Sequence, residues 1–95
     1  MYKFGNSNLD LNKLVIDKNG KKHKINNTEK TILKKMIQNP GKVFSREEIG
    51  KLININKERS IDVIITRLRQ KIETNSKNPQ YLQTIRGSGY VLWIE

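Results

Sequence analysis

The sequence predicts an α+β domain in which a small antiparallel sheet precedes three helices and a β-hairpin closes the chain. Three observations carry this prediction. Asn19-Gly20 stands between two strand-like runs, the strongest short-range hairpin signal. Two capping signatures, Asn26 with Glu29 and Ser45 with Glu48, each open a stretch of helical apolar spacing. After Asn78-Pro79, two strand-like runs flank Arg86-Gly87-Ser88-Gly89.

Residues 1–25 show no helical period. Their apolar residues come in short pieces, Tyr2/Phe4, Leu9/Leu11, Leu14–Ile16 and Ile25, as three or four short strands would require. From residue 26 the period changes. Ile32, Leu33, Met36 and Ile37 share one face of a helix over about 27–38, which Asn39-Pro40-Gly41 stops. Ile49, Leu52 and Ile53 give a second helix, about 46–53, its buried side, and Asn54–Lys57 form a short connection.

A third helix is predicted over about 59–74. At ~100° per residue, Ile61, Ile65, Leu68 and Ile72 form one stripe with Ile64 at its edge. The opposite face collects Arg59, Val63, Thr66, Arg67 and Gln70, with no acid among them. Such a face offers donors for purine edges and a methyl-bearing chain for thymine. It also fits an ordinary solvent-facing side, and Glu58, Asp62 and Glu73 keep residues 58–74 at a net +1. Tyr81–Ile85 and Tyr90–Ile94 complete the hairpin, about 81–94. A helix-turn-helix pair followed by a hairpin is a winged helix-turn-helix arrangement.

With 95 residues the chain is a single domain, 1–95, with no internal repeat or linker. Lys+Arg is 19 against 9 Asp+Glu, a net charge of +10 that favours a polyanionic partner. Lysines are scattered, but Arg59, Arg67 and Arg69 fall in one segment and Arg86 in the hairpin turn. Arginine's planar fork suits phosphate and guanine edges better than an ammonium does. Cysteine is absent and His23 is the one histidine, so no thiolate nucleophile, sulfur-based zinc site or multi-histidine metal site is expected. No phosphate loop or paired carboxylates suggest an enzyme, and no cofactor or metal is predicted. No apolar run approaches a membrane span, and no signal peptide pattern begins the chain. A cytoplasmic domain without membrane contact is the default expectation.

Several residues read as structural. Asp62 is expected to pair with a flanking arginine or to orient the helix, Tyr90 and Trp93 to fill the hairpin core, Glu29 to cap its helix and His23 to lie on the surface. An RNA-binding module is an alternative, weakened by having only six aromatics, most with a place in the strand core. A protein-interaction winged helix is another, and it leaves the outward arginines unexplained.

Four stretches resemble the DNA-binding effector domain of OmpR/PhoB-type response regulators. Arg59-Ser60-Ile61-Asp62-Val63 through Ile65-Thr66-Arg67-Leu68-Arg69-Gln70-Lys71-Ile72 is similar to the family's recognition helix. Thr84-Ile85-Arg86-Gly87-Ser88-Gly89-Tyr90 is similar to its wing. Asn27-Thr28-Glu29 with Ile32-Leu33, and Val43-Phe44-Ser45-Arg46-Glu47, echo two further motifs in order. The resemblance covers essentially the whole chain. It implies a four-stranded N-terminal sheet and sequence-specific double-stranded DNA binding for a bacterial two-component transcriptional regulator. The third helix would lie in the major groove and the wing arginine in the minor groove. Ser60, Val63, Arg67 and Arg86 would contact bases. Arg59, Thr66, Arg69, Gln70, Thr84 and Gly87 would lie at the DNA backbone. Ile64 stands where the family has histidine, and Ile53 replaces a common tryptophan. The implied partners are direct-repeat half-sites, RNA polymerase through the loop at 54–58, and a receiver domain, for which 95 residues leave no room. Dimerisation in the family comes from the receiver, so a monomer is expected in isolation.

Overall fold

Alternation dictates the first layer. In the computed structural model, which describes residues 1–94, β1 (Tyr2–Phe4), β2 (Ser7–Asp10), β3 (Val15–Lys18) and β4 (Lys21–Lys24) form an antiparallel sheet in the order β1-β2-β3-β4. Phe4, Leu9 and Ile16 point to one face and are fully buried, while Asn8 faces water. Leu9 pairs with Ile16, and Lys18 with Lys21 across the Asn19-Gly20 turn. Both turn residues have positive φ, 54° and 83°, the geometry that a two-residue hairpin with native strand twist demands.

α1 (Asn27–Gln38) and α2 (Arg46–Ile53) start on complete capping boxes, Asn26 with Glu29 and Ser45 with Glu48. Each satisfies two backbone N–H groups that the first turn leaves unpaired. Between them Val43–Phe44 forms β5, a strand the sequence pattern did not foreshadow. It pairs with β7 (Gly89–Leu92), which pairs with β6 (Leu82–Ile85), so the hairpin belongs to a three-stranded sheet ordered β5-β7-β6. The Gly50 Cα lies so near the following turn that an added Cβ would stand 2.4 Å from the Ile55 carbonyl oxygen. That approach lets α2 turn tightly into α3.

α3 runs from Glu58 to Ile72, so the helix ends earlier than the expected Thr74. Glu73 adopts extended backbone (φ −80°, ψ 144°) because its carboxylate is drawn into the next loop. The last carbonyls of α3 find partners in the N-terminal sheet. Ser7 Oγ donates to the Ile72 carbonyl at 2.7 Å, and Lys18 Nζ to those of Gln70 and Glu73 at 2.6 and 3.1 Å. A cation there also meets the negative end of the helix dipole.

Ile32, Leu33, Met36, Phe44, Ile49, Ile61, Ile65, Leu68, Ile72 and Leu82 join the sheet residues in one core. Full burial of each such side chain contributes about 1.5–3 kcal/mol. Lys71 Nζ crosses from α3 to the Glu29 carboxylate at 2.8 Å and to the Lys24 carbonyl at 2.9 Å, joining α3 to α1 and β4. Two expectations need correction. Trp93 is 46% exposed, because β7 ends at Leu92; its indole N–H donates to Gln83 Oε1. His23 is half-buried rather than on the open surface, with Nε2 enclosed and unpaired.

Candidate nucleic-acid interface

The apolar stripe of α3 decides which side chains face out. Ile61, Ile65, Leu68 and Ile72 are buried, so Arg59, Val63, Thr66, Arg67 and Gln70 emerge together on the opposite side, all exposed. Val63 is 43% exposed, an apolar group held in water beside two arginines. Ser60 is half-buried at the margin of this face, and Ile64 turns partly inward against the core. Thr66 Oγ1 donates to the Asp62 carbonyl one turn back, which leaves its methyl and lone pairs outward. Arg59, Arg67 and Arg86 make no hydrogen bond or ion pair among the described residues, so their guanidinium donors are uncommitted.

The hairpin that carries Arg86 is bonded to this helix through Arg69. Ser88 N–H donates to the Ile85 carbonyl at 2.9 Å, closing a turn with Arg86 and Gly87 at its exposed tip. Gly89, at φ +141°, passes so close to β5 that an added Cβ would meet the Phe44 carbonyl oxygen at 2.0 Å. Only glycine lets β7 leave the turn there.

Arg69 and Thr84 occupy each other. Arg69 Nη2 donates to Thr84 Oγ1 at 2.6 Å, and its Nε to the Leu82 carbonyl at 2.7 Å. Its guanidinium also lies over the Tyr90 ring, 5.5 Å from the centroid. The helical wheel put Arg69 on the flank of α3, and that flank faces the hairpin.

At the other end of α3, Asp62 is a junction. Its Oδ1 accepts from Arg46 Nε at 2.8 Å and from the Tyr90 hydroxyl. Arg46 Nη1 also reaches Glu58 at 3.4 Å. The partner of Asp62 is therefore an arginine of α2, not one flanking it on α3. Burial raises the Tyr90 phenol above its ordinary value, and the bond to ionised Asp62 adds to this. The same carboxylate pushes the Arg46 guanidinium further up. The bond network ties the starts of α2 and α3 to β7.

Sequence reasoning missed two contributors. Arg46 carries no periodic signal, and its role follows from a contact 16 residues away. Glu73 lies where a helix was expected to continue. Among the described residues no group of three or more His, Cys, Asp or Glu could hold a metal. Among the same residues no helix is long and apolar enough to cross a membrane.

A helix-turn-helix whose second helix presents arginines outward, with an arginine on the hairpin bonded to it, defines a winged-helix domain of the kind that carries a recognition helix. Residues 20–92 match the family described as "Transcriptional regulatory protein, C terminal", and the chain belongs to that family. It is 35% identical over 100 residues to the probable transcriptional regulator ycf27 of Cyanidium caldarium, covering 96% of this chain and 40% of that protein. The response regulator DrrB of Thermotoga maritima, described as an OmpR/PhoB homolog, superposes with a TM-score of 0.82 at 31% identity. That match covers 97% of this chain and 43% of DrrB. The DNA-binding domain of the response regulator AdeR, solved in complex with an intercistronic region, gives a TM-score of 0.71 at 31% identity, covering 98% and 97%. The chain spans about 40% of the length of the curated relatives it matches. The resemblance to OmpR/PhoB-type effector domains and the winged-helix fold both hold.

Proposed function

We propose that this chain binds double-stranded DNA sequence-specifically, as the effector domain of a transcriptional regulator. One observation carries the proposal: uncommitted Arg59 and Arg67 share the exposed face of α3 with Val63 and Thr66, and uncommitted Arg86 stands at the tip of the adjoining hairpin. In this reading α3 enters the major groove. Ser60, Val63 and Arg67 meet base edges, with Arg67 donating two hydrogen bonds to a guanine and Val63 packing on a thymine methyl. Arg86 enters the neighbouring minor groove, where a narrow A·T-rich stretch concentrates negative potential. Arg59, Thr66, Gln70 and Gly87 lie at phosphates. Arg69 and Thr84 border the same backbone, with the remaining guanidinium donors of Arg69 free to reach it. The AdeR domain, which shares 31% of its aligned residues with this chain and is solved on DNA, supports the assignment.

The mechanism is binding, not chemistry. Phosphate contacts set the register and a few side chains specify the sequence. Receiver control, direct-repeat operators, contact with RNA polymerase, a monomeric state in isolation and a cytoplasmic setting complete the proposal. The test is selection from a random duplex pool, with RNA and single-stranded DNA as competitors. Enrichment of a short duplex motif supports the reading. Preference for RNA, or retention without any motif, contradicts it.

A further inference from the structure

We infer that Glu73 is a positioning residue that sets the wing against α3, and so sets where Arg86 meets the DNA. The inference rests on the DNA-binding reading above.

Glu73 is 2% exposed, a carboxylate sealed inside a basic domain. Its two oxygens accept from three consecutive backbone N–H groups: Gln80 at 2.7 Å, Tyr81 at 3.2 and 3.1 Å, and Leu82 at 2.8 Å. A run of converging N–H dipoles is an anion cradle, and hydrogen bonds to an ionised acceptor are stronger than neutral ones. The cradle here is the entry to β6. Glu73 itself is held in place, since its backbone N–H donates to Arg69 at 2.8 Å and its carbonyl accepts from Lys18.

One helical turn earlier, Arg69 takes the next part of the same strand, at the Leu82 carbonyl and Thr84 Oγ1. Arg69 in the last turn of α3 and Glu73 just past its end thus hold β6 along its length. Glu73 grips the backbone where the strand begins, and Arg69 grips it from Leu82 to Thr84. The loop between, residues 74–81, is irregular and contributes no regular ladder of its own. Arg86 follows directly on Ile85, the last residue of β6. A shift at the start of the strand is therefore carried to the guanidinium at its end. The middle of α3, by contrast, is anchored by the buried Ile61, Ile65 and Leu68, one to three turns before Glu73. Glu73 therefore separates two functions: it governs the wing and leaves the base-reading face of α3 unaltered.

The test is Glu73→Gln, which replaces one acceptor oxygen by a donor aimed at N–H groups. Wild type and variant are each put through selection from a random duplex pool, and then titrated on the selected core placed between A·T-rich or G·C-rich flanks. The folded fraction is measured by circular dichroism at the same temperature. The variant is expected to keep the same core motif. Its preference for A·T-rich flanks should fall to within about twofold of none, as in Arg86→Ala. An unchanged flank preference overturns the inference, as does an equal loss on both flanks after correction for the folded fraction. If Glu73→Gln does not fold, Glu73→Asp decides: it keeps the carboxylate but is one methylene too short to span the three N–H groups of residues 80–82. A larger loss on A·T-rich than on G·C-rich flanks supports the inference, and equal losses contradict it. Failure of wild type itself to select any motif overturns the DNA-binding reading along with this one, a result distinct from the others.

Discussion

Truncating Arg67 to alanine removes donors that no other group among the described residues uses. In the proposed complex those donors meet a base edge, so Arg67→Ala should cost about 1–3 kcal/mol on the selected site. It should cost much less on a scrambled duplex. Titration of both duplexes checks this, and near-equal losses would assign Arg67 to phosphate instead. Folding should be unaffected, because the side chain is exposed. Gly89 is the opposite kind of residue. It contacts no ligand in the proposal, yet a Cβ there would lie 2.0 Å from the Phe44 carbonyl oxygen. Gly89→Ala must part β5 from β7 or twist the turn, and should destabilise the fold by about 2 kcal/mol or more. Urea denaturation measures the loss directly.

The elements differ in how far they could be read from local spacing. α1 and α2 were legible at their starts because a capping box is a contact over three residues, visible in Asn26/Glu29 and Ser45/Glu48 alike. The stripe on α3 was legible for the same reason, since a helix places i and i+4 neighbours together. β5 was not legible. It has two residues, no alternation to count, and a partner 48 residues along the chain in Val43↔Val91. The end of α3 was overrun because Glu73 obeys a tertiary demand, three N–H groups in residues 80–82, that no local pattern signals. At the interface, the arginines uncommitted in the fold were visible as a face in the wheel. The supports beneath them, Arg46 on Asp62 and Arg69 on the hairpin, depend on contacts between elements. The pair joining α3 to α1 yields a prediction of its own. Glu29 has only 3% of its side chain exposed, and Lys71 is its cation. Lys71→Met leaves that charge buried without its cation, held only by the Asn26 N–H, and should destabilise by about 3 kcal/mol. Adding Glu29→Gln should recover part of the loss, because the stranded charge is gone. Denaturation of the single and double variants tests the sign; a double variant less stable than Lys71→Met contradicts it.

At the scale of the whole molecule, a net charge of +10 guarantees some attraction to any polyanion. Much of that charge lies outside α3: residues 1–25 carry +4 and residues 26–57 another +4. Affinity for DNA is therefore weak evidence of function, and its salt dependence weaker still. Each neutralised phosphate contributes a log–log slope of about 0.9 whatever the sequence. What the general charge cannot supply is discrimination between duplexes of equal length and composition. In the proposed complex that discrimination comes from the outward face of α3 and the wing. The most direct measurement is thus the ratio of affinities for the selected duplex and its scrambled counterpart, taken at two salt concentrations. A ratio of about a hundredfold or more, persisting while both affinities fall with salt, is the result this structure predicts. Equal affinities that fall together would mean that the domain offers DNA only a basic surface, and would contradict the account at its centre.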